Sequence, residues 1–181
     1  IDYIRVWADD PPAGYAVELG NGVSSLPNTD DYVLRGTAIT GDFFLDDPAS
    51  TSDIPLGSVM AYDFERATTT GIFVTMATSA REAVVGVASD SYNAGLILGG
   101  SGDISVVLSG RAKIRVSAGY GAIKKGDYLI ASELSGISAR ATSSGMMIGR
   151  ALEDYDGLIE GQTILAEINP GYYALTLEAE E

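Results

Sequence analysis

The chain has 181 residues, and its 11 basic against 25 acidic side chains give a formal net charge of −14. It contains no Cys and no His, so thiol catalysis, Cys/His zinc sites and an imidazole-based serine triad are excluded. A negative field of this size also argues against nucleic acid and anionic membranes, and no apolar run reaches the ~18–20 residues of a spanning helix.

With 46% apolar residues and 22 Gly, the composition supports a folded core rather than disorder. Helical periodicity is weak, and one or two turns are predicted around 78–83. Short β-branched or aromatic runs bounded by Gly, Asp, Asn, Pro and Ser predict strands throughout. In chain order these are 2–8, 15–19, 32–39, 58–62, 72–77, 83–88, 104–109, 112–118, 128–131, 137–141, 146–152, 163–168 and 172–178. Within 112–118 the residues Ile114 and Val116 point one way, and Lys113, Arg115 and Ser117 the other. That is one buried and one wet sheet face, with Gly110 marking a bulge or corner. The expected fold is all-β, a sandwich or a barrel-like domain.

The charge is uneven. Residues 1–54 hold ten acidic and two basic side chains, Arg5 and Arg35. This section (1–54) reads as acidic strands and loops able to donate a strand to a neighbour, and 55–181 as the β-domain. Acidic pairs precede Pro at Asp9–Asp10 and Asp46–Asp47, and Asp30–Asp31 is a third pair; such pairs are turn formers and solvated loops.

An internal echo follows. Pro55-Leu56-Gly57-Ser58-Val59-Met60-Ala61 resembles Lys124-Lys125-Gly126-Asp127-Tyr128-Leu129-Ile130, and Val84-Val85-Gly86-Val87-Ala88 resembles Met147-Ile148-Gly149-Arg150-Ala151. Gly102-Asp103-Ile104 then answers Gly161-Gln162-Thr163-Ile164. Either a β-unit is used twice, or Gly-punctuated strands simply look alike.

Several candidate sites stand out. Asp154, Asp156 and Glu160 around Gly157 share the oxygen-ligand spacing of part of a calcium loop, without the bidentate Glu that completes one; an acidic hairpin turn is the plainer reading. No other cofactor is expected. Ser109 and Lys113 have the spacing of a Ser/Lys pair, but a solvent-facing Lys113 on a strand is the plainer reading. Arg111, Lys113, Arg115, Lys124 and Lys125 form a basic strip with no acid between 111 and 125. It suits either a solvated sheet face or docking of an acidic segment from another copy. Tyr3 and Trp7 are the bulky anchors of an N-terminal strand that would pair with a neighbour's open edge.

The phrases Val106-Val107-Leu108-Ser109-Gly110-Arg111-Ala112-Lys113-Ile114-Arg115-Val116, Gly126-Asp127-Tyr128-Leu129, Ile148-Gly149-Arg150-Ala151 and Asn169-Pro170-Gly171-Tyr172-Tyr173 occur in order. Together they resemble a β-rich domain of bacterial surface and phage tail-fibre or appendage proteins, which lies near C-terminal intramolecular-chaperone regions. The Gly-Asp-Tyr and Ile-Gly-Arg-Ala patterns also resemble small phage capsid decoration proteins. The resemblance implies a non-enzymatic structural subunit that self-assembles with identical copies into an extracellular fibre, filament or virion appendage. A capsid decoration or tail-fibre module is the alternative, and a carbohydrate-binding domain a third reading. It implies no catalytic residue.

Overall fold

The computed structural model describes residues 38–66, 68, 71–89, 94–98 and 102–174, with two short strands at 24–25 and 32–33. The strands are β1 (Ser24–Ser25), β2 (Tyr32–Val33), β3 (Ala38–Phe43), β4 (Val59–Tyr62), β5 (Val74–Met76), β6 (Val84–Ser89), β7 (Ala94–Leu98), β8 (Ile104–Arg115), β9 (Tyr128–Ala131), β10 (Ser138–Arg140), β11 (Gly145–Ala151) and β12 (Thr163–Tyr173). Short 3-10 turns occupy Pro48–Asp53 and Ala118–Tyr120. The fold is all-β and barrel-like, as the sequence predicts.

β1 and β2 pair with each other, and the other ten strands form one sheet in the order β10-β9-β11-β12-β8-β6-β4-β5, with β3 on β8 and β7 parallel to β3. The long strand β8 joins two units. Its first half pairs with β3 and β6, and its second half with β12. In the first unit the sheet curls until the residue after β3 meets the residue before β5, as Phe44 bridges Phe73 in parallel; Phe44 N–H donates to Ile72 O at 3.0 Å. The second unit repeats this. Val116, just past β8, bridges Ser138 of β10 in parallel, and Ser117 N–H donates to Ser138 O at 2.9 Å. Each unit is thus a five-stranded curl.

The internal echo is a repeated backbone. Gly57 N–H donates to Ala88 O at 2.8 Å and Gly126 N–H to Ala151 O at 2.8 Å. Ala88 N–H donates to Ser58 O, as Ala151 N–H does to Asp127 O. Both glycines have positive φ, 86° and 95°, so the turn entering β4 and β9 needs Gly. In the first unit Met60 faces Gly86 and Ala61 faces Val84, leaving Val85 as a bulge. In the second, Leu129 faces Gly149 and Ile130 faces Met147, leaving Ile148.

The units share a backbone but not a buried face. The first unit's interior holds Phe43, Met60, Val85, Ala88, Ile104 and Val106. The second's holds Ile114, Leu129, Ile148, Ala151, Ile164 and Ala166. These are matching positions of the repeat. In the first unit the opposite face is also apolar, and its Val59, Ala61, Val84, Val87 and Val107 belong to the same cluster as the second unit's interior. One wall of the first unit therefore seals the core of the second. A one-residue bulge at Leu108 makes this possible, because Thr40 faces Val107 but Ile39 faces Ser109. The bulge re-phases β8, so the outer face of one unit continues into the inner face of the next.

Some predicted elements differ. No helix forms at 78–83; the chain makes one turn, in which Glu82 N–H donates to Ser79 O. The runs 104–109 and 112–118 are one strand, and 163–168 continues through Tyr173 in β12. β7 was not foreseen. The predicted strands 2–8 and 15–19 lie outside the described residues. Among the described residues no helix is long and apolar enough to cross a membrane.

Candidate functional site

The basic strip lies on the outer wall of the second unit. Alternation along β8 buries Ile114 and turns Arg111, Lys113 and Arg115 outward. The outward row crosses the sheet from Arg111 to Glu167 to Arg150 to Tyr128 on successive strands. Arg150 lies over the Tyr128 ring, 4.1 Å from its centroid, and bonds the phenol oxygen, while Tyr128 and Tyr173 rings approach to 4.5 Å.

Part of this positive charge is neutralised within the chain. Lys113 Nζ meets Glu153 at 3.0 Å, and Lys124 Nζ lies 3.8 Å from Asp154. Lys125 N–H donates to Asp154 Oδ1 at 2.8 Å. The stem of Arg115 passes over Gly57 and its guanidinium over Gly161. Arg111 and Arg115 form no ion pair among the described residues. Arg111 and Lys113 line a groove of about 330 Å³ whose floor is Ala38, Ala88, Val107 and Leu165.

Ser109 and Lys113 both sit on β8, four residues and thus roughly 13 Å of strand apart, and Lys113 is engaged by Glu153. They do not form a reactive pair.

Glu153 ties two strands. Its Oε2 accepts Leu165 N–H at 2.7 Å as well as Lys113, and these two bonds, the backbone one first, hold its carboxyl below the ordinary 4.5. A depressed folded-state pKa contributes stability that is complete above pH ~4.5 and is lost as pH falls through the folded value. Because the side chain is about half exposed, the effect is about 0.5–1 kcal/mol after solvent screening. Glu153→Gln is expected to lower the denaturation midpoint at pH 7 and to match the parent near pH 3. A constant difference at both pH values would show that the charge is not responsible.

The structure places Asp154, Asp156 and Glu160 on separate duties. Asp154 holds Lys125, Asp156 accepts Leu158 N–H at 3.1 Å, and Glu160 Oε2 accepts Ala118 N–H at 2.9 Å and the Ser117 hydroxyl at 3.2 Å. Among the described residues no three Asp or Glu side chains converge as a metal site would require. Between them Tyr155 is buried, and its hydroxyl donates to Ile159 O at 2.7 Å. Burial, with Glu160 nearby, pushes its ionisation above the ordinary 10.0. Of the acidic pairs, Asp47 caps the 3-10 turn by accepting Ala49 N–H at 3.0 Å, and Asp46 pairs with Arg66. Tyr3, Trp7 and the pairs at 9–10 and 30–31 lie outside the described residues.

Sequence reading missed an aromatic patch at the rim of the first unit. Phe64 is 69% exposed, Ile72 52% and Tyr62 36%. Tyr62 stacks on Phe64 at 5.5 Å and meets Phe43 edge-on at 6.3 Å; Phe44 and Phe73 lie 5.7 Å apart at the closing bridge. The signal was the alternation Met60, Tyr62, Phe64, which carries the interior face of β4 past the end of the strand. On the second unit Leu158, Ile159 and Tyr172 are 77%, 61% and 70% exposed.

No protein-family model matches this chain, and no curated protein matches it. Among solved structures it is similar to the N base of the head fibre protein gp8.5 of bacteriophage phi29. The identity is 22% and the TM-score 0.37, over 64% of this chain and 85% of that one, a loose overlap.

Proposed function

We propose that this chain is a non-catalytic structural module of a virion or cell-surface appendage, and that identical copies associate through their sheet surfaces. The observation that carries this reading is the pair of unlike apolar exposures, Tyr62, Phe64 and Ile72 on one unit and Leu158 with Ile159 on the other. Exposed apolar side chains of this size standing next to one another mark interaction surfaces. A contact between unlike surfaces is head-to-tail, and it propagates into a ring or an open filament according to whether the rotation closes. The sequence resemblance to appendage and fibre proteins supports the same reading. Among the described residues the two groups with displaced ionisation, Glu153 and Tyr155, are both accounted for by hydrogen bonding and burial.

The basic strip contributes less to association than its sequence suggests, because Lys113 and Lys124 are engaged within the chain. Assembly that rests on apolar contact is therefore expected to persist at high salt. Sedimentation and electron microscopy of the purified chain test this. Phe64→Ser with Ile72→Ser should lower the association constant at least about tenfold, the loss of ~1.4 kcal/mol or more of buried apolar surface, with folding unchanged. A parent chain that stays monomeric at high concentration would overturn the reading. Persistence of parental assembly in the double variant would move the contact elsewhere.

A further inference from the structure

The path of the chain through the large sheet fixes how the fold meets a pull. β3 brings the chain into this sheet at Ala38, and β12 takes it out at Tyr173. Neither is an edge strand. β3 lies between β7 and β8, and β12 between β11 and β8. The strands at the two ends of the sheet order, β10 and β5, carry neither passage. Both β3 and β12 run antiparallel to β8, so they run parallel to each other. They flank β8 on opposite sides, since Gly110 is in register with Ala38 of one and Ile168 of the other.

Ala38 therefore stands at the level of Gly110, and β12 continues past that level to Tyr173, roughly 13–16 Å further along at ~3.3 Å per residue. Sideways, two strand spacings separate β3 from β12, about 10 Å. A pull through the two ends acts mainly along the strands, drawing β3 backward and β12 forward across β8. Hydrogen bonds of an antiparallel pair lie across the strand axis. Force along the axis must break a whole ladder together, whereas force across the axis opens it one rung at a time. Sliding also tears the core, because Ala38 of β3, Val107 and Ile114 of β8, and Ile164, Ala166 and Ile168 of β12 belong to one buried cluster. We propose that this fold has a load-bearing function, in which tension passing along the chain is held in shear by β3, β8 and β12. Such holding is a property of a single molecule; it goes beyond the assembly reading and does not depend on it.

The test is single-molecule force spectroscopy of the full chain held between reference domains. The chain has no Cys, so Arg111→Cys places a unique second handle on β8, at an exposed position beside the entry of β3. Pulling from the N-terminus to position 111 loads the same β3–β8 ladder from its end and across its axis, so it should open rung by rung. Residues 1–37 stand in series in both pulls and do not affect the comparison. Forced unfolding is governed by the unfolding barrier, so at equal speed the peak force from end to end should be at least about twofold that from the N-terminus to position 111. Ser109→Cys, also exposed and in register with Ile39, is an independent handle with the same expected result. Both substitutions should leave the chemical denaturation midpoint unchanged. Equal peak forces in the two directions, or a lower force from end to end, would overturn the proposal.

Discussion

Gly149→Ala is expected to destabilise this protein by about 3 kcal/mol or more, and Gly86→Ala by a similar amount. A Cβ on Gly149 would lie 1.9 Å from Glu167 O and 2.9 Å from its carbonyl carbon. One on Gly86 would lie 1.9 Å from Val107 O. Both obstacles are backbone atoms of a paired strand, so no rotamer change relieves the clash; β11 must separate from β12, or β6 from β8. Neither glycine is needed for a left-handed conformation. Each is needed because the bulge beside it presses the strand onto its neighbour. Gly119→Ala is the control: the nearest atom to its Cβ would be the Ser117 hydroxyl at 3.5 Å, and a change within ~0.5 kcal/mol is expected. Chemical denaturation of the three variants decides it. A Gly149→Ala protein with parental stability would mean that the repeated bulge is not the rigid feature described above.

Most of the local structure was legible in the sequence. The run 128–131 coincides with β9, and the Gly-centred phrases around Gly86 and Gly149 mark the two bulges. The repeat was visible because the backbone demands the same Gly at the same places. What it could not reveal was which face each copy buries. Alternation assigns two faces to a strand but does not say which meets the core when both are apolar, as in Val84–Ala88. The bulge at Leu108 leaves no mark on composition, yet it decides that β8 serves one unit with each face. The basic strip was legible, but its neutralisation was not, because Lys113 and Glu153 are brought together by β8, β12 and the segment after β11 rather than by spacing.

The repeat also predicts where a charge will be fatal and where its removal will be silent. Val59, Val87 and Val107 face one another across β4, β6 and β8, at exposures of 0%, 0% and 1%. At the matching places in the second unit stand Tyr128, Arg150 and Glu167, across β9, β11 and β12. Arg150 and Glu167 are exposed and Tyr128 half-buried. The same backbone thus carries a sealing face in one copy and a solvent face in the other. Val107→Glu installs in the first unit the residue that the second tolerates. It should cost about 4 kcal/mol or more, because the carboxylate enters the cluster that joins the two units and finds no cation there. The reciprocal change Glu167→Val should leave stability within ~0.5 kcal/mol, but should raise self-association in sedimentation by extending an apolar surface beside Tyr128 and Tyr173. If Val107→Glu folds with parental stability, the first unit does not seal the second. The two curls would then be independent modules that merely share a strand.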